Sequence, residues 1–161
     1  MSNKLWQILP IISDEFKNKH ENYAPIVLQL LKNRNIESDE EIKLYLHGEF
    51  GVDTYDPFLF NDMEEAVALI IKHIKAQNKI VVYGDYDADG VTASAVIIEI
   101  LEIFKAQVSV YLPDRVNEGY GLNKEALDAI IKNGTKLIIT VDGGIRNKEE
   151  VIYAQERGVE V

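Results

Sequence analysis

Apolar positions change their rhythm near Asp56, and the two rhythms predict two kinds of structure. Before that point the chain reads as short helices. Pro25 to Asn33 is brief and mostly apolar, and Ser38-Asp-Glu-Glu41 forms a capping box that opens a helix ending near Gly48. Gly51 to Phe60 is a loop with turn chemistry at Asp56-Pro57. Asn61 or Asp62 then caps a helix with Ala66, Val67, Ile70, Ile71 and Ile74 on one face.

After that helix, β-branched runs alternate with helical ones. The pattern predicts a strand at 79–84, a helix at about 91–105, a strand at 107–112 and a helix at about 124–133. A strand at 136–141, a helix at about 148–157 and a strand starting at Gly158 complete it. Ile80, Val81 and Val82 are continuously apolar, as suits a strand buried on both faces. Gly134 and Gly158 fall at helix C-termini, and Asn147 with Glu150 reads as an N-terminal cap pair. The expected fold is α/β: a parallel sheet with right-handed crossovers and helices on both faces, preceded by a small helical segment. The boundaries are 1–60 for the helical segment and 61–161 for the sheet domain.

Composition narrows the chemistry. A chain of 161 residues suits one domain or a domain with an appendage, burying about 68–70% of its unfolded surface. The absence of cysteine excludes disulfides, zinc–thiolate sites and thiol nucleophiles, and favours a reducing cytoplasm. The stretch from Met1 to Gln7 lacks the apolar core of a signal peptide, and Glu99 and Glu102 interrupt the apolar run after Ala93. A soluble, cytoplasmic protein without a membrane partner is expected. The formal net charge of −10 argues against binding nucleic acid through a general basic surface. It does not argue against an enzyme that holds phosphodiesters through metals and a few local cations.

The first strand discharges into Asp85, Asp87 and Asp89, three carboxylates at alternate positions, with a helix expected just past Gly90. Such charges repel strongly in a low-dielectric cleft, and strand carboxyl ends are where ligands bind in open α/β sheets. A cation is implied. The series resembles the start of an EF-hand loop, but the twelfth position is Val96 and a strand precedes the acids. Asp87-Ala-Asp89-Gly90 also resembles the haloacid-dehalogenase phosphatase motif, though Val91 intervenes before Thr92 and Asp85 has no role there. A plain capping loop would need one acid, not three.

Two more loops are predicted at the same edge. Leu137-Ile-Ile-Thr-Val-Asp142-Gly143-Gly144 is again a strand ending in an acid, and a parallel sheet lets Asp142 meet the first acids over one cavity. The glycines allow close backbone approach, and a helix N-terminus follows near Asn147. In the stretch Tyr111 to Asn123, Arg115 can clamp a phosphate or pair with Glu118, and Tyr120 can stack on a base or pack on the loop. His20, His47 and His73 lie outside these motifs and read as surface or core residues.

These motifs, in this order and spacing, resemble the RecJ family of single-strand-specific 5′→3′ exonucleases, within the DHH phosphoesterase superfamily. Gly84-Asp-Tyr-Asp-Ala-Asp-Gly-Val-Thr92 matches motif I, and Thr140-Val-Asp142-Gly-Gly-Ile145 matches motif II. The Arg115 to Asn123 stretch, with its Glu-Gly-Tyr-Gly-Leu, narrows the superfamily to RecJ-like members. Tyr55-Asp-Pro-Phe-Leu and Asp62-Met-Glu-Glu-Ala extend the likeness upstream, so it covers essentially the whole chain.

The resemblance implies that 61–161 is the N-terminal part of a DHH domain. It implies Asp87, Asp89 and Asp142 as catalytic metal ligands, Asp142 shared between two metals, with Asp85 a further metal-ligand candidate. Arg115, Tyr120, Gly121, Gly143 and Gly144 would contact substrate. The cofactor would be Mn²⁺ or Mg²⁺, consistent with oxygen-only ligands, in a two-metal site about 3.5–4 Å across. The implied partners are single-stranded DNA and a single-stranded-DNA-binding protein or a helicase.

Two departures accompany the likeness. Gly143 stands where RecJ proteins often carry Asn or Cys, and the sequence stops short of the Asp-His-His triplet that names the superfamily. The expectation is a truncated product carrying about half a metal site, with weak metal binding and little nuclease activity alone. Two other functions stay open on the sequence: a non-catalytic module that binds nucleic acid or protein, and a DHH phosphodiesterase acting on short oligonucleotides or cyclic dinucleotides.

Overall fold

A computed structural model describes residues 7–161, so residues 1–6, with the start of the predicted helical segment and most of the stretch read for a signal peptide, lie outside the described residues. Two compact units are present, one running to Leu59 and the other from Phe60 to Val161.

The first unit holds α1 (Asp14–Lys19), α2 (Pro25–Lys32) and α3 (Asp39–His47), then a single 3-10 turn at Pro57–Leu59. Local chemistry sets each helix start. Pro25 sits in the first turn of α2, where its missing N–H costs nothing. The predicted capping box opens α3: Ser38 Oγ accepts from the Glu41 N–H at 3.2 Å, and the Glu41 carboxylate accepts from the Ser38 N–H at 3.1 Å. Ile12, Leu28, Leu31 and Ile42 form the buried apolar set. One short helix, α1, was not predicted, because six residues with one large apolar side chain show no period.

The second unit contains α4 (Met63–Lys75), β1 (Lys79–Tyr83), α5 (Ala88–Ile103), β2 (Gln107–Tyr111), α6 (Lys124–Lys132), β3 (Thr135–Thr140) and α7 (Lys148–Gln155). All strand pairs are parallel, in the order β2-β1-β3. Successive side chains of the central strand point to opposite faces. Val81 and Tyr83 pack with Leu122, Leu127, Ile130 and Ala154 on the α6 and α7 side. Ile80 and Val82 pack with Leu101, Leu69, Ile70 and Ile74 on the α4 and α5 side. Helices therefore cover both faces, as the uninterrupted apolar run of β1 requires.

Three details differ from expectation. The strand predicted from Gly158 is a single bridged residue: Glu160 N–H donates to the Lys136 carbonyl at 3.0 Å, and Ile138 N–H to the Glu160 carbonyl at 2.8 Å. Asn147 does not cap α7 with its side chain; its Nδ2 donates to the Leu122 carbonyl and the Glu150 carboxylate, each at 3.2 Å. Asp62 precedes α4 in a left-handed conformation, φ 62°, and makes no side-chain cap hydrogen bond. None of the described helices is long and apolar enough to cross a membrane.

The strand order fixes where a ligand site can form. The chain leaves β1 toward β2 on one side and leaves β3 toward its bridge with Glu160 on the other. Connections diverging from neighbouring strands open a crevice between their carboxyl ends.

Candidate metal centre

Both strands at that crevice end in the predicted acids. Gly84 follows β1 because α5 lies too close for any side chain: a Cβ there would stand 2.2 Å from Ser94 Oγ. Gly90 serves the same approach from the helix side, since its Cβ would fall 2.6 Å from the Asp85 backbone nitrogen. The sequence pattern places the helix start just past Gly90. Instead α5 starts at Ala88, with Asp87 as its N-cap. Asp87 Oδ1 accepts from the N–H groups of Asp89 and Gly90 at 3.0 and 3.1 Å. Its other oxygen makes no hydrogen bond to that turn.

Asp85 is buried, 4% exposed, and Asp87 and Asp142 are exposed. One carboxylate oxygen from each of these three lies within 4.8 Å of the others. Asp89, in the first turn of α5, is outside that trio. It still acts on it by charge. The Asp142 carboxyl is pushed above its ordinary value by desolvation first, then by the charges of Asp87, Asp89 and Asp85 and a hydrogen bond with Asp87. Like charges held this close make a donor set for a divalent cation bound by oxygen.

Asp142 itself has φ 54°, a left-handed conformation uncommon for a residue with a side chain. Gly144 follows at φ 95°, where a Cβ would stand 2.6 Å from Thr140 Oγ1. Tyr120 Oη donates to the Asp142 carbonyl at 3.0 Å. Tyr120, Thr140, Asp142, Gly143, Gly144 and Arg146 line a cavity of about 710 Å³ beside the acids.

The loop after β2 is fixed by Glu118, which does not make the predicted pair with Arg115. Glu118 accepts from Tyr111 Oη at 2.5 Å, the Asp114 N–H at 2.7 Å and Asn123 Nδ2 at 3.2 Å. Asn123 also caps α6 through the Ala126 N–H, and Tyr83 Oη donates to the Gly121 carbonyl at 3.1 Å. Burial, followed by the Glu118 charge, pushes the Tyr83 hydroxyl up to about 12; burial also raises Tyr111, whose hydrogen bond to Glu118 adds to the shift. With Glu118 committed to these donors, Arg115 lies instead over the Tyr86 ring, 4.5 Å from its centre. Gly121, at φ 87°, is pressed against Asn147, whose Oδ1 a Cβ would meet at 2.7 Å. Arg146 was missed; its signal was a cation shortly after Asp142-Gly-Gly.

Of the histidines read as surface or core residues, His73 is buried, with Nε2 2.5 Å from Glu160 Oε2 and Nδ1 3.1 Å from Asn78 Nδ2. His20 is buried with Nδ1 3.0 Å from Asp39 Oδ1.

Known proteins share both the sequence and this architecture. The model of the DHH family, N-terminal domain, matches residues 79–161. The single-stranded-DNA-specific exonuclease RecJ of Bacillus subtilis (strain 168) is 42% identical over 99% of this chain, which spans 20% of that protein. A crystal structure of exonuclease RecJ bound to manganese superposes with a TM-score of 0.57 at 39% identity, covering 60% of this chain and 25% of that one. RecJ of Thermus thermophilus in complex with Mn²⁺ gives a TM-score of 0.60 at 26% identity, covering 91% of this chain and 20% of that one. The chain thus spans between 20% and 25% of the length of these relatives. With its three-stranded core, its acids at the switch point and this similarity, the chain belongs to the DHH family and is RecJ-like.

Proposed function

We propose that this chain forms the motif I and motif II part of a RecJ-like exonuclease that hydrolyses single-stranded DNA from the 5′ end with Mn²⁺ or Mg²⁺. One observation carries the reading: the carboxylates of Asp85, Asp87 and Asp142 converge at the switch point. Among the described residues none of the three acids, nor Asp89, forms an ion pair with a basic side chain.

In this reading residues 61–161 are the N-terminal part of a DHH domain, and Asp85, Asp87, Asp89 and Asp142 face one or two divalent cations. Bound divalent cations supply Lewis acidity and an activated water at neutral pH. The chain's own residues set the geometry. Asp87 commits one oxygen to the helix and keeps the other for a ligand. Asp85 is fixed by burial and by accepting from the Tyr86 N–H at 2.7 Å. Arg115, held on the Tyr86 ring between two of the acids, offers its fork of donors to a phosphate, and Arg146 adds a cation on the cavity wall. On a surface with net charge −10, such local cations decide where a polyanion can settle. Tyr120, Gly121, Gly143 and Gly144 complete the substrate wall. A single-stranded-DNA-binding protein or a helicase that delivers the strand, and a cytoplasmic location, belong to the same proposal.

A chimaera tests it. These residues are placed in Bacillus subtilis RecJ in exchange for the matching 20% of that protein. The chimaera should degrade 5′-labelled single-stranded DNA with Mn²⁺ and stop on Asp87→Ala. The 161-residue chain alone should bind Mn²⁺ and leave the DNA intact. A chimaera indifferent to Asp87→Ala, or one that prefers dinucleotides, overturns the reading.

A further inference from the structure

We propose that Tyr120 is the positioning residue for Asp142: its hydroxyl holds the aspartate's backbone in the left-handed conformation that aims the carboxylate at Asp85 and Asp87. The inference rests on the metal reading above and adds a residue that acts on the site without touching a cation.

Asp85 is held by burial and Asp87 by the N–H groups that open α5, whereas Asp142 is exposed, in the loop between β3 and α7. Its φ of 54° is a conformation that residues with a side chain adopt only at a cost, and it would relax toward extended backbone if nothing opposed this. Relaxation would swing the carboxylate, since the side chain turns with the backbone. A side chain from outside the turn opposes it: Tyr120 Oη donates to the Asp142 carbonyl at 3.0 Å. A net hydrogen bond and the cost of a single left-handed residue are of the same size, so this contact can decide the conformation.

The donor is itself anchored. Tyr120 is 62% exposed, so ring burial alone does not hold it. The next residue, Gly121, receives the Tyr83 hydroxyl from the end of β1, and the Leu122 carbonyl receives Asn147 Nδ2 from the start of α7. Glu118 closes the loop against Tyr111 at the end of β2. The position of Tyr120 is therefore set by both outer and central elements of the sheet, and the Asp142 turn takes its conformation from a loop that supplies no metal ligand. The contact does not depend on glycine at 143, because a Cβ there would sit 3.6 Å from Tyr120 Oη, an ordinary van der Waals distance.

Tyr120→Phe removes the hydroxyl and keeps the ring. Free Mn²⁺ is counted by electron paramagnetic resonance during titration of the wild type, Tyr120→Phe and Asp142→Asn. The wild type should bind, Asp142→Asn should lose binding, and Tyr120→Phe should bind roughly fivefold more weakly, within the range of one net hydrogen bond. Its metal-free melting temperature should match the wild type, while the backbone amide signals of Asp142 and Gly143 should move in the metal-free nuclear magnetic resonance spectrum. Affinity within twofold of the wild type, or a melting temperature that falls with the affinity, overturns the positioning role and leaves the metal reading standing. If the wild type and Asp142→Asn bind alike, the metal reading fails, and the role of Tyr120 toward it fails too.

Discussion

Toward the amino end of the sheet, Glu160 Oε2 lies 2.9 Å from Lys72 Nζ and 2.5 Å from the Nε2 of buried His73. At the carboxyl end, Asp142 lies among Asp85, Asp87 and Asp89, and among the described residues no basic side chain pairs with it. The two carboxyls shift in opposite directions. Hydrogen bonds from Lys72 and His73 hold Glu160 below its ordinary value, whereas desolvation and its acidic neighbours push Asp142 above it. An acid whose neighbours complete its charge is part of the scaffold. An acid whose neighbours worsen it is left for a cation from outside the chain to offset, and which of the two situations an acid meets is set by long-range placement rather than by residue type.

The largest test of that contrast is metal affinity. Asp142→Asn or Asp87→Asn should weaken Mn²⁺ binding by more than about 100-fold, beyond the range seen for residues that only support a ligand. His73→Ala should leave it within twofold. A comparable loss in both kinds of variant, read by titration calorimetry, would break the contrast. Stability should respond next. Mn²⁺ at about 100 times its dissociation constant should stabilise the wild type by about 2.7 kcal/mol in thermal unfolding, reversed by a chelator and absent from Asp142→Asn. At the paired end the effect needs no metal: His73→Ala should cost about 2 kcal/mol in denaturant unfolding, because a buried, doubly hydrogen-bonded ring is lost.

The unpaired end was the more legible of the two. Apolar runs ending in acids mark β1 and β3, and a parallel sheet brings such ends to one edge, so the sequence pointed to Asp85, Asp87, Asp89 and Asp142 as one group, with Asp85 placed behind the other three. Local pattern did not separate Asp89 from the trio of Asp85, Asp87 and Asp142, because this depends on where α5 begins. Gly90 looks like a helix boundary but is needed for the approach to Asp85. The order β2-β1-β3, which makes the edge a crevice, leaves no mark on periodicity. The pairing of His73 with Glu160 spans 87 positions, and the work of Glu118 as a loop anchor depends on Tyr111 and Asn123 folding onto it. Contacts of that kind are set by packing, and the residue types alone fit several partners.

The smallest expected effect is the one that separates the two ends by sign. Glu160 has a lowered carboxyl value, so its contribution to stability is present above the ordinary carboxylate range and is lost as pH falls through the folded value. Asp142 has a raised value, so its contribution is fully present below the ordinary value of 3.8 and is lost as pH rises through the folded one. Metal-free Glu160→Gln should therefore melt below the wild type at neutral pH, and metal-free Asp142→Asn above it. Both differences should shrink as the pH is lowered toward about 4, where carboxyls take up protons. Both groups are exposed enough for solvent and salt to screen them, so the shifts in melting temperature should be small and larger at low ionic strength. Equal signs at neutral pH would mean that the acids at the carboxyl end are compensated within the chain, and the case for a cation there would lose its electrostatic basis.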